Sequence, residues 1–128
     1  MNSRASFIGR FLADCDRRLR PKTFRALQRN AERIPAGVLT AMPNFTIFVP
    51  SLNVNSELGL VVTPAEGYRC VYLSPFLELY PQSEVDFTVA HEFAHISLGH
   101  KGRKTNKSQE TAADKLAVSW GFKLPKGY

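Results

Sequence analysis

The chain has 128 residues, 44% of them hydrophobic and 22% charged, and carries a formal net charge of +6. That length suits one compact domain with a real core. No apolar run approaches the roughly 18 residues of a membrane span, and two cysteines, Cys15 and Cys70, are too few for a disulfide framework or a Cys-rich zinc site.

These features describe an ordinary globular domain, spanning 1–128 without internal repeats, and the expected compartment is a reducing cytoplasm. The opening "MNSRASFIGRFLADCDRR" lacks the uninterrupted apolar core of a signal peptide. Asp14 and Asp16 argue against a transit peptide. The charge is unevenly placed. Residues 1–34 hold nine Lys or Arg against three Asp or Glu, whereas residues 35–128 hold eight of each. Such asymmetry is either the solvated side of amphipathic helices or a surface for nucleic acid or an acidic partner.

In chain order, Phe7, Ile8, Phe11, Leu12, Cys15 and Leu19 recur at helical spacing and predict a helix over 4–19. Pro21 interrupts it. A second helix is expected from about 23, with Phe24, Leu27 and Ala31 inward, until Pro35 stops it. Residues 1–34 thus read as a basic helical region. Residues 35–81 read as a β region. "NFTIFVPS", "LGLVVT" and "YRCVYLS" predict three antiparallel strands near 45–50, 58–63 and 68–73, the last two forming a hairpin around "PAEG". "PFLELYPQ" reads as an irregular link. In residues 82–128, Ser83 is the expected cap of a helix that buries Val85, Val89, Phe93 and Ile96 and ends at Gly99. Ser108 is the expected cap of a last helix over about 109–120, ended by Gly121. The fold class is α+β.

All three histidines lie in "VAHEFAHISLGH". On a helix, positions i and i+4 share a face, so His91 and His95 present their imidazoles to one point, as a zinc chelate requires. Glu92 adjoins the first histidine and can take a proton from a water whose pKa zinc lowers to about 7. This is the chemical content of His-Glu-x-x-His. A hydrolytic zinc site commonly takes three protein ligands, and two candidates exist for the third. In the metzincin pattern a third histidine falls six residues past the second, with glycine three past it; here those positions are Lys101 and Leu98. His100 is one residue early and suits a helix C-terminus instead. Glu110, which opens "ETAADKLA", shares a helix face with Asp114. Such a carboxylate pair repels unless a cation neutralises it. Glu110 is therefore the favoured ligand, with Asp114 accepting the ring N–H of a ligand histidine. Ala112 and Ala113 permit close helix–helix approach.

"FTVAHEFAHISLGH" followed by "ETAADKLA" resembles the ImmA/IrrE family of gluzincin-type zinc metallopeptidases, closely over residues 85–118 and more loosely over 58–84. The resemblance implies a helix packed on a small three-stranded twisted sheet, then the active-site and glutamate helices. It implies His91, His95 and Glu110 as zinc ligands, Glu92 as general base, and Asp114 as partner of a ligand histidine. Ala94 stands where many relatives have glycine, and the gap from His95 to Glu110 is shorter than in larger members. Family members cleave transcriptional repressors, so the expected function is zinc-dependent hydrolysis of a specific protein substrate. Tyr80, His100 and Tyr128 are candidates to stabilise the oxyanion or touch substrate. The 101–107 loop, with Lys101, Arg103, Lys104 and Lys107, is a candidate to steer acidic substrates. The alternative is a zinc-containing binding module whose basic N-terminal helices hold DNA or an acidic partner.

Overall fold

A computed structural model describes residues 12–13, 20–42, 44–48, 58–65, 67–100 and 106–126. In chain order these form β1 (Leu12–Ala13), α1 (Pro21–Arg33), α2 (Ala36–Ala41), β2 (Asn44–Phe48), β3 (Gly59–Ala65), β4 (Tyr68–Leu73), a 3-10 turn (Pro75–Leu79), α3 (Gln82–Ser97) and α4 (Lys107–Ser119). The architecture is α+β, as expected, with a small twisted sheet against helices.

The sheet departs from the all-antiparallel expectation. Its order is β1-β2-β4-β3. The hairpin β3–β4 is antiparallel and pairs Val61 with Val71, turning through Gly67, whose φ of 75° suits a residue without Cβ. β2, however, lies parallel to β4, with Ile47 opposite Val71. Alternation in "NFTIF" predicts a strand but carries no direction, because side-chain period is two in either sense. Leu12 and Ala13 are a strand paired parallel with β2, not part of a helix over 4–19; the rest of that predicted helix lies outside the described residues.

α1 opens with Pro21, whose fixed φ suits the first helical position. Arg20 gives it no side-chain cap. The cap comes from 55 residues further on: Glu78 accepts from the backbone N–H groups of Lys22 and Thr23, at 3.0 Å each, and from Thr23 Oγ1 at 2.8 Å. A carboxylate there also faces the positive end of the helix dipole. Glu78 comes from the 3-10 turn that replaces the expected irregular link, itself capped by Ser74.

α3 begins two residues earlier than expected. Pro81 precedes it and Ser83 lies inside it, without a capping hydrogen bond from a side chain. It is also no simple amphipath: residues 85–87 and 89–96 are all buried. A helix apolar on most sides must be surrounded, and α3 packs against α1, α4, β3 and β4. Phe93 meets Phe45 of β2 with ring centroids 5.5 Å apart. Ile47, Val71, Leu73, Leu77, Val85, Val89 and Leu27 complete this core. Polar contacts tie α1 to α3: Arg29 pairs with Asp86, and Asn30 Nδ2 donates to the carbonyls of Ala26 and Asp86.

α4 is capped by Asn106, not Ser108. Asn106 Oδ1 accepts from Gln109 N–H at 2.8 Å, and Gln109 Oε1 accepts from Asn106 N–H at 3.2 Å, a reciprocal capping box. Ala113 and Ala117 are fully buried at i, i+4, which lets α4 lie close along α3.

Candidate metal centre

The ends of α3 and α4 bring together the residues singled out by spacing. His91 and His95 are one turn apart, and their Nε2 atoms lie 3.0 Å from each other. Glu110, in the first turn of α4, places Oε2 2.7 Å from His95 Nε2 and Oε1 3.4 Å from His91 Nε2. The three ligand atoms form one group within 4.8 Å. A tetrahedral zinc with bonds of about 2.0–2.1 Å holds neighbouring ligand atoms about 3.4 Å apart, close to these separations.

The hydrogen bonds around the rings give the group its chemical character. Asp114 Oδ1 lies 2.7 Å from His91 Nδ1. A carboxylate accepts, so a singly protonated His91 carries its proton on Nδ1 and turns a lone pair on Nε2 toward Glu110. His95 is held neutral: burial, reinforced by the neighbouring His91, pushes its pKa down to about 4. Its Nδ1 lies 2.8 Å from His100 Nδ1. The tautomer of His95 that donates from Nδ1 to His100 presents a second lone pair at Nε2. The other tautomer donates from Nε2 to Glu110 Oε2 at 2.7 Å; in the first, two imidazole lone pairs and a carboxylate converge with no hydrogen among them. Such a set repels itself unless a cation occupies the centre, and two nitrogens with one carboxylate suit zinc.

His100 reaches this position through the helix end. Gly99 has φ 77°. Its N–H donates to the Ile96 carbonyl at 3.1 Å, and the His100 N–H donates to the His95 carbonyl at 2.9 Å. This double closure is a Schellman motif, which folds the chain back over the last turn. His100 is thus a neighbour of a candidate ligand and stands outside the ligand group.

Glu92 is buried between α3 and β3, with 6% of its surface exposed. Its carboxylate and side-chain stem lie against Gly59, at the start of β3: a Cβ built on Gly59 would stand 2.7 Å from Oε2 and 2.9 Å from Cγ. Gly59 lies in the expected strand "LGLVVT", where no role for it was evident from the sequence. The available signal was a glycine inside a strand pattern, which marks a close approach of another group. Tyr80 stands elsewhere: its carbonyl accepts from Lys22 Nζ at 2.7 Å, beside the start of α1. Tyr128 and residues 101–105 of the basic loop lie outside the described residues.

The described basic residues of the first 34 are largely engaged within the fold. Lys22 bonds Tyr80, Arg29 pairs with Asp86, and Arg33 donates to the Gly121 carbonyl while lying 4.9 Å from the Phe122 ring centroid. These three cations act as tethers of α1 to the rest of the fold.

Comparisons with protein-family models, curated proteins and solved structures return no match to this chain. Among the described residues no helix is long and apolar enough to cross a membrane.

Proposed function

We propose that this protein is a zinc-dependent metallopeptidase of the ImmA/IrrE type that cleaves a specific protein substrate, a transcriptional repressor being the class the resemblance favours. The observation that carries the reading is the convergence of His91 Nε2, His95 Nε2 and a Glu110 carboxylate oxygen within 4.8 Å, with the buried Glu92 next to His91 on the same helix, a residue that a purely structural metal site has no use for. His91, His95 and Glu110 would hold the metal. Zinc in that place supplies a Lewis acid for the scissile carbonyl and lowers the pKa of a water.

The chain's own groups do the remaining work. Glu92 accepts a proton as the water oxygen bonds to the carbonyl carbon, and returns it to the amide nitrogen as the C–N bond breaks. The second water proton follows the first to the nitrogen, and the peptide leaves as a carboxylate and an ammonium. Asp114 holds His91 in the tautomer that exposes Nε2. His100 does the same for His95. Glu110 has the most exposed side chain of the candidate ligands, at 44% against 9% and 6% for the histidines, so the cluster is most accessible at Glu110.

The test is metal analysis followed by cleavage. Purified protein binds about one zinc per chain, as a single three-ligand site does. His91→Ala and Glu110→Ala lose it. Glu92→Gln keeps it and loses cleavage of the physiological substrate, sought by co-expression with the products of neighbouring genes. Full zinc binding by Glu110→Ala, with loss in His100→Ala, would overturn the ligand set.

A further inference from the structure

We infer that Gly59 is a positioning residue for Glu92: the missing Cβ on β3 is the space in which the glutamate side chain is seated. This rests on the proposed role of Glu92 as proton acceptor. The geometry is specific. A Cβ at position 59 would meet Oε2 at 2.7 Å, Cγ at 2.9 Å and Cδ at 3.0 Å. Carbon atoms in good contact stand about 3.5–4.0 Å apart, so all three approaches are overlaps. Swinging the carboxylate alone leaves the Cγ overlap in place. The whole side chain would have to move, and at 6% exposure it has little room to do so.

The backbone does not itself require glycine here. Among the described glycines, Gly67, Gly99 and Gly121 have positive φ, and Gly59 does not. It pairs with Leu73 in the antiparallel ladder, an ordinary strand position where glycine is the less favourable choice. Leu58 on one side bonds Ser74 through its carbonyl, so the start of β3 is pinned and cannot retreat from α3. The strand thereby forms a wall that fixes the direction of the Glu92 carboxylate, on the same helix turn that aims His91 and His95 at Glu110.

Double-mutant cycles with Gly59→Ala and Glu92→Ala test this. In zinc-free protein, Gly59→Ala lowers the thermal midpoint when Glu92 is present and leaves it unchanged or raised in the Glu92→Ala background. Equal shifts in both backgrounds would overturn the steric contact, whatever the metal does. In zinc-loaded protein the probe is acetohydroxamate, whose metal-binding group offers a hydrogen to a correctly placed carboxylate. Gly59→Ala retains zinc stoichiometry and weakens acetohydroxamate about tenfold, the worth of one charge-assisted hydrogen bond. In the Glu92→Ala background the same substitution has no further effect. Unchanged affinity in Gly59→Ala, or an equal loss in both backgrounds, overturns the positioning role. A wild-type protein that takes up no zinc overturns the proposed function and the catalytic meaning of Gly59 with it, while the zinc-free cycle still decides the contact.

Discussion

Single residues at the candidate metal centre act through the atoms they turn toward each other. Asp114 is 2.7 Å from His91 Nδ1, and a partner of this kind fixes both tautomer and ring orientation. Asp114→Ala is expected to keep zinc stoichiometry at saturating metal and to weaken affinity by about 10- to 100-fold, read by chelator competition. His100→Ala should do the same, by way of His95, and His100→Asn should recover part of the loss because its side-chain oxygen can accept from His95 Nδ1. Undiminished affinity in both His100 variants would remove that role. His95 also sets an acid limit. Its pKa is moved from 6.5 to about 4 by burial and by His91. The unfolded chain takes up the proton at about 6.5, but the folded protein resists it until about 4. Stability from a neutral His95 is therefore fully present above 6.5 and is lost as pH falls through this window. The thermal midpoint of metal-free protein should fall between pH 6.5 and 4, with a shallower slope in His95→Gln. The pair at i, i+4 was legible in the sequence because helix geometry alone aligns it. Which histidine Asp114 serves was not, because that depends on how α4 lies across α3.

Elements are held at their ends by contacts of unequal range. The cap of α4 is local, Asn106 with Gln109, yet the sequence pointed to Ser108; the capping box decided the start two residues earlier by satisfying two backbone donors at once. Glu110 sits in the turn that this box closes. Asn106→Ala should cost about 1 kcal/mol and lower zinc affinity along with the urea midpoint, with unchanged m-value. Loss of stability without any change in zinc affinity would separate the cap from the site. The cap of α1 is non-local, since Glu78 supplies it from the 3-10 turn. Removing it in Glu78→Ala strands two backbone donors and a hydroxyl, and is expected to destabilise the fold by about 2 kcal/mol in urea unfolding. No reading of residues 20–24 alone would find this cap, because the helix start contains no suitable side chain.

At the scale of the molecule, α3 is the shared wall of two constructions. One side builds the core with α1 and the sheet, and the end of the helix builds the candidate metal centre with α4. Metal held by His91, His95 and Glu110 would couple to folding by joining α3 to α4. Zinc at 100 times its dissociation constant should stabilise the folded protein by about 2.7 kcal/mol, seen as a raised thermal midpoint that a chelator reverses. An unchanged midpoint on zinc addition would argue against a folded-state site. The sequence by itself determined the α+β class, the β3–β4 hairpin, the helix ends at Gly99 and Gly121, and the placing of His91, Glu92 and His95 on one helix. These follow from periodicity, turn residues and positive φ, all of which act within a few residues. The tertiary structure alone decided the parallel pairing of β2 with β4, the strand at Leu12–Ala13, the Glu78 cap and the seat of Glu92 against Gly59. Each of these depends on which surfaces meet once the core closes, and local spacing carries no record of that.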